Sequence, residues 1–166
     1  MKAAVHGLLI GALLFVGARA REQGSDIGQE KSQTTGVILT NTRPEASFPV
    51  PAATVARSRP VLALHFTQVT NPTGTPFQIF VFLSYQPADK SAAGPVRILL
   101  GNVALYPPDR PGGFAMRASS AFRKVNAAKA KDVRLVLEMK RLHPRTPWSP
   151  VEVTVAPPEW RSENSP

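Results

Sequence analysis

An all-β sandwich of about six or seven short antiparallel strands with one short helix is the fold that the sequence predicts. Three observations point to it. Runs of β-branched, aliphatic and aromatic residues recur between Val61 and Val155, separated by turns rich in Pro, Gly, Asn and Asp. The 17 prolines gather in the loops and tails, a distribution that argues against a helical protein. Only Ala118–Lys131 shows helical spacing. An α+β arrangement, with that helix packed on a sheet, is the alternative.

The chain opens with Met1-Lys2, an apolar stretch from Gly7 to Gly17 and the small-residue ending Ala18-Arg19-Ala20. This is the pattern of a secretory signal peptide cut after Ala20. The apolar stretch falls short of the roughly 20 residues that a membrane span needs, which disfavours a retained signal anchor. A secreted or periplasmic protein beginning at Arg21 is therefore expected, with His6 removed and no transmembrane span left. Residues 21–58, rich in Gln, Ser, Thr, Gly, Pro and Ala, read as a disordered leader, because they offer little apolar surface to offset chain entropy. The run Val37-Ile38-Leu39 is the exception and is able to add an edge strand.

The sandwich domain is expected over residues 59–160. Val61–Thr70 (VLALHFTQVT) is a strand, and Asn71-Pro72-Thr73-Gly74 is a turn. Phe77–Tyr85 (FQIFVFLSY) places Phe77, Ile79, Val81, Leu83 and Tyr85 on one face and Gln78, Phe80, Phe82 and Ser84 on the other. Aromatics on both faces predict a central strand buried on both sides for part of its length. The two runs read as a hairpin with a long loop. Val96–Tyr106 is a third strand region, and its Gly101-Asn102 predicts a bulge or a bend between sheets. Phe114–Arg117 is short and extended. In Ala118–Lys131, Ala121, Phe122, Val125 and Ala128 share a helical face. Val133–Leu142 alternates Val133, Leu135, Leu137 and Met139 with Arg134, Val136, Glu138 and Lys140, as a strand with one wet face does. Val151–Val155 closes the fold, Trp160 caps the core, and residues 161–166 form a loose tail.

Chemistry is bounded mostly by exclusion. With no cysteine there is no disulfide, thiolate nucleophile or Cys-ligated metal. Only His65 and His143 follow the cleavage point, at no ligand spacing to each other or to an acid. His65 reads as packed in, or at the edge of, an apolar strand. Glu138 and Glu152 sit on strands able to neighbour each other, yet both read as ordinary groups on a wet face rather than as a catalytic pair. No Gly-rich phosphate loop and no G-x-S-x-G elbow is present. No cofactor or metal is implied, and a small hydrolase with an unrecognised site is the remaining catalytic alternative.

The formal net charge of +9 favours an anionic partner. Export and the absence of a compact Lys/Arg run disfavour nucleic acid. Arg123, Lys124, Lys129 and Lys131 around the helix, and Arg134, Lys140 and Arg141 on the next strand, form the candidate partner surface. Arg145 extends it, and Trp148, between prolines, reads either as an exposed contact of that surface or as a plug at the end of the sandwich. Such a face would suit an anionic glycan or lipid surface of the cell envelope.

The order of elements from Pro60 to Trp160 resembles the C-terminal β-sandwich that follows the copper domain in some bacterial tyrosinases and plant polyphenol oxidases. The matching stretches are Val61–Val69, the KFDV-like strand Phe77-Gln78-Ile79-Phe80-Val81-Phe82-Leu83 and Leu100-Gly101-Asn102-Val103-Ala104-Leu105-Tyr106-Pro107. Gly113-Phe114, Val133–Leu137 and Val151–Val155 continue the match. In that family the copper-binding histidines belong to the other domain. The resemblance thus implies a non-catalytic module that packs on, shields or helps to mature an oxidase. Here the module would be exported without the oxidase attached.

Overall fold

A computed structural model describes residues 36–89, 94–143, 145 and 147–163. The expected signal peptide, the Arg21–Thr35 part of the expected leader and the last three residues lie outside the described residues. Within them the chain forms nine strands and two short helices. The strands are β1 (Val37–Thr40), β2 (Glu45–Pro49), β3 (Pro60–Thr70), β4 (Phe77–Gln86) and β5 (Val96–Val103), then β6 (Gly112–Arg117), β7 (Lys131–Arg141), β8 (Glu152–Val155) and β9 (Glu159–Ser162). Helix α1 (Ala52–Val55) follows β2, and α2 (Ser119–Ala127) follows β6. All strand pairs are antiparallel. One sheet has the order β1-β8-β3-β6, with β9 also paired to β3. The other has the order β2-β7-β4-β5. This is the expected all-β sandwich, with more strands than the sequence suggested.

Alternation decides which residues lie between the sheets. Leu62, Leu64 and Phe66 of β3 face Ile79, Val81 and Leu83 of β4 and Leu135, Leu137 and Met139 of β7 in one buried cluster. Helix α2 closes an end of it with Ala121, Phe122 and Val125, the helical stripe read from the sequence. The ring of Trp160 meets Phe122 edge-on, 5.3 Å between centroids. Trp160 therefore packs on the core from within β9, and residues 161–162 continue that strand rather than a loose tail.

Three expectations need correction. First, the ordered fold begins well before residue 59. β1 joins the first sheet beside β8, β2 joins the second beside β7, and Leu39 and Phe48 are 0% and 1% exposed. Each short strand contributes one large apolar side chain, and burial of that side chain anchors a segment whose composition otherwise reads as leader.

Second, β3 and β4 are not a hairpin, because they belong to different sheets. The connection crosses the sandwich and is pinned by Asn71, which is 5% exposed. Its Nδ2 donates to the carbonyls of Thr75 (2.9 Å) and Pro108 (3.1 Å), and its Oδ1 accepts from the Thr75 N–H (3.0 Å). The turn amide of Gly74 donates to the Asn71 carbonyl, with Gly74 at φ +59°, a conformation that glycine adopts without Cβ strain.

Third, the two-sided burial expected of the central strand β4 is confined to its end, where Ser84 on the outer face is 9% exposed between buried Leu83 and Tyr85, and does not extend to the outer-face aromatics. Phe80 and Phe82 lie on its outer face, half-buried. The predicted irregularity in β5 is present: Phe82 pairs with Leu99 and Val81 with Gly101, which leaves Leu100 as the extra residue of a bulge.

Candidate functional site

The nine basic and aromatic candidates do not form one face. Arg123 and Lys124 are exposed on α2, and Lys129 sits just past its end. Lys131 opens β7, while Arg134 and Lys140 project from the outer face of the β2-β7-β4-β5 sheet. Arg141 stands opposite Phe77, in register with the inward side of that sheet, and is half-buried and engaged. Arg145 is exposed in the loop after β7. Trp148 packs half-buried against the core as a plug of the sandwich, and its indole N–H is buried without a partner among the described residues. Charge counted along the sequence merged positions that the helix and the strand separate.

The outer face of the β2-β7-β4-β5 sheet has an organisation that the sequence showed only in part. Phe80 and Phe82 stack with centroids 6.3 Å apart, and Leu99 beside them on β5 is 53% exposed. Val136 faces the same way yet is only 4% exposed, so this side of β7 is not uniformly wet as expected. Glu45 and Arg97 lie on the two edge strands of the sheet, with β7 and β4 between them. They meet in a two-pronged ion pair, at 2.9 and 3.0 Å. The twist of the sheet brings these opposite corners together, and the joined side chains bridge the intervening strands. The hydrogen bonds to Glu45 raise the Arg97 pKa above its ordinary value against the opposing effect of burial, with the charges of Glu45 and Glu138 adding to the rise. Glu45 and Glu138 stand directly opposite each other, a repulsive placement offset by a cation on each. Glu138 takes Lys140, whose Nζ is 3.0 Å from its Oε1 and 5.2 Å from the Phe80 centroid. Asn102 Nδ2 donates to Gln78 Oε1 along the same face. The resulting surface is an aromatic and aliphatic strip between paired charges. The even spacing of Phe80 and Phe82 in FQIFVFLSY signalled it; the Glu45–Arg97 pair left no local signal.

Two open grooves flank β2. The larger, about 680 Å³, lies between α1, the end of α2 and the start of β7. The other, about 590 Å³, runs between β1 and β2 and carries Arg43, Glu45 and Ser47. Arg134 lines both, with Nε and Nη2 donating to Ser47 Oγ at 3.1 and 2.8 Å.

The remaining titratable candidates separate. His65 is solvent-facing rather than packed, since it falls on the outer side of β3; its Nε2 lies 3.9 Å from Glu159 Oε1. Glu159 is also held by Arg161 at 2.6 Å, and that hydrogen bond lowers its pKa below the ordinary glutamate value. Glu138 and Glu152 belong to different sheets and are not neighbours. No group of three or more His, Cys, Asp or Glu side chains with metal-site geometry occurs among the described residues. No helix among them is long and apolar enough to cross a membrane. A scan against protein-family models gives no match, and a search of curated proteins finds no relative.

Proposed function

We propose that this chain is an exported, non-catalytic sandwich that docks on a partner protein through the outer face of its β2-β7-β4-β5 sheet. The observation that carries the reading is the strip of Phe80, Phe82 and Leu99, half-buried to exposed on a sheet face over which no other strand or helix of the described chain packs. Aromatic and aliphatic groups framed by paired charges supply the apolar centre and polar rim of a protein interface. The sequence resemblance to the accessory sandwich of tyrosinases supplies the partner class, a copper oxidase domain.

The test is calorimetric titration of the chain with a tyrosinase-like oxidase domain encoded beside it. A one-to-one complex is expected, weakened at least tenfold by Phe80→Ser combined with Leu99→Ser, and insensitive to Lys124→Gln. Failure of any such oxidase to bind at tens of micromolar would remove the partner class. A complex indifferent to the double substitution would move the docking surface elsewhere.

A second reading is binding to an anionic envelope surface. It rests on Arg123, Lys124, Lys129 and Lys131, which have no carboxylate partner among the described residues. Binding of that kind fades as salt rises past roughly physiological strength, whereas the apolar sheet face holds its partner.

A further inference from the structure

We propose that the groove between α1, α2 and β7 binds an alkyl carboxylate, an anionic head on a long apolar tail. The groove lies beside the Phe80–Leu99 strip and shares only Arg134 with that sheet face, so the proposal stands or falls separately from the docking reading. The groove's volume of about 680 Å³ is of small-molecule size. Its floor is apolar, formed by Val50, Val55, Ala56 and Ala130. Its rim carries Lys131 and Arg134, with the single carboxylate Asp132 between them.

The convergence of the two cations is built by the backbone. Residues three apart on a regular strand point to opposite faces of the sheet. Here Ser84 pairs with Arg134 and Gln86 with Lys131, so that Asp132 and Val133 together oppose Tyr85. This β-bulge turns Lys131 and Arg134 to the same side, the re-aiming of a side chain that bulges characteristically perform. Asp132 takes the left-handed conformation that the bulge requires, at φ +50°, which aspartate tolerates better than most residues.

Both cations have capacity to spare. The Lys131 side chain has no ion-pair or hydrogen-bond partner among the described residues. Arg134 commits Nε and Nη2 to Ser47 and leaves Nη1 uncommitted. A guanidinium fork beside an ammonium suits a planar two-oxygen head, and the alanine and valine floor suits a tail rather than a second polar group.

Dodecanoate, titrated into the full chain below its micellar concentration, is the probe. Saturable binding is expected, with amide shifts by NMR at Val55 and Ala130. Decanoate should bind several-fold more weakly, because each lost methylene removes part of the apolar contact. Acetate and dodecanol, which carry only the head or only the tail, should each bind at least tenfold more weakly. Lys131→Gln with Arg134→Gln should weaken dodecanoate about tenfold while lowering the melting temperature only slightly, since both side chains are exposed and only the surface hydrogen bonds to Ser47 are lost. Dodecanol binding as tightly as dodecanoate, a double variant of unchanged affinity, or amide shifts confined to residues away from the groove would each overturn the proposal.

Discussion

At the scale of single residues, burial separates aromatic side chains that the sequence ranks alike. Phe122 is 1% exposed and packs against Trp160, whereas Phe80 is half-buried on an open sheet face. Phe122→Ala should cost about 3–5 kcal/mol and Phe80→Ala less than about 2 kcal/mol. Thermal melts of the two variants check the order, and equal losses would contradict the placement of Phe80. Electrostatics at this scale are local. Glu159 is held in its charged form first by the hydrogen bond from Arg161 and secondarily by the charges of Arg161 and His65. Its folded pKa is lowered, so the associated stabilisation is complete above the ordinary glutamate range and is lost as the pH falls through the lowered value. In a carbon-detected NMR titration the Glu159 carboxyl should titrate below a free glutamate, and Arg161→Gln should raise its midpoint. An unchanged midpoint would assign the shift to another cause.

At the scale of elements, the junction of α2 with β7 concentrates the unusual backbone. The Ala130 N–H donates to the Val125 carbonyl and the Lys129 N–H to the Asn126 carbonyl, the paired bonds of a Schellman helix end. The left-handed position of that motif is held by Lys129 at φ +46°, where glycine is the usual occupant. Lys129→Gly should therefore stabilise the fold by up to about 1 kcal/mol, after the greater freedom of glycine in the unfolded chain is set against the relief of Cβ strain. A chemical denaturation midpoint checks the sign. Elements of this kind mark the boundary of what the sequence discloses. Strands β4 and β7 were legible because their faces separate at period two in FQIFVFLSY and VRLVLEMKRL, and β3 because VLALHFTQVT is a β-branched and apolar run that ends at a turn. The helix was legible from Ala121, Phe122 and Val125. Pairing was not, because the Asn71–Pro76 loop suits a hairpin and a crossing between sheets equally well, and the choice rests on where Asn71 finds the Pro108 carbonyl. Strand β2 was hidden because Glu45-Ala46-Ser47-Phe48-Pro49 offers a single large apolar residue. The Glu45–Arg97 pair and the bulge at Asp132 were hidden because both depend on strand register and sheet twist, which no local run of residues encodes.

At the scale of the whole molecule, the early strands tie the two sheets together. β1 and β2 are consecutive in the chain, yet one forms the edge of the first sheet and the other the edge of the second. The segment between β2 and β3 then lays α1 against α2, where Asn126 Nδ2 donates to the Val55 carbonyl and Arg57 donates to the Trp160 carbonyl. A chain shortened to begin at Arg59 would lose Leu39 and Phe48 from the core and open the flanks of β8 and β7 to solvent. Removal of two fully buried side chains of this size costs roughly 2–5 kcal/mol each, before any loss of sheet hydrogen bonding. That sum is comparable to the roughly 5–15 kcal/mol that stabilises an ordinary domain. The shortened chain should therefore lack a cooperative thermal transition and bind a hydrophobic dye, while a chain beginning at Gly36 should melt cooperatively. The comparison also reads the architecture itself. A cooperative melt for the chain beginning at Arg59 would mean that β3–β9 carry a complete core and that β1 and β2 are attachments to it. Its absence would make residues 37–58 as much a part of the sandwich as the longer strands that announce it in the sequence.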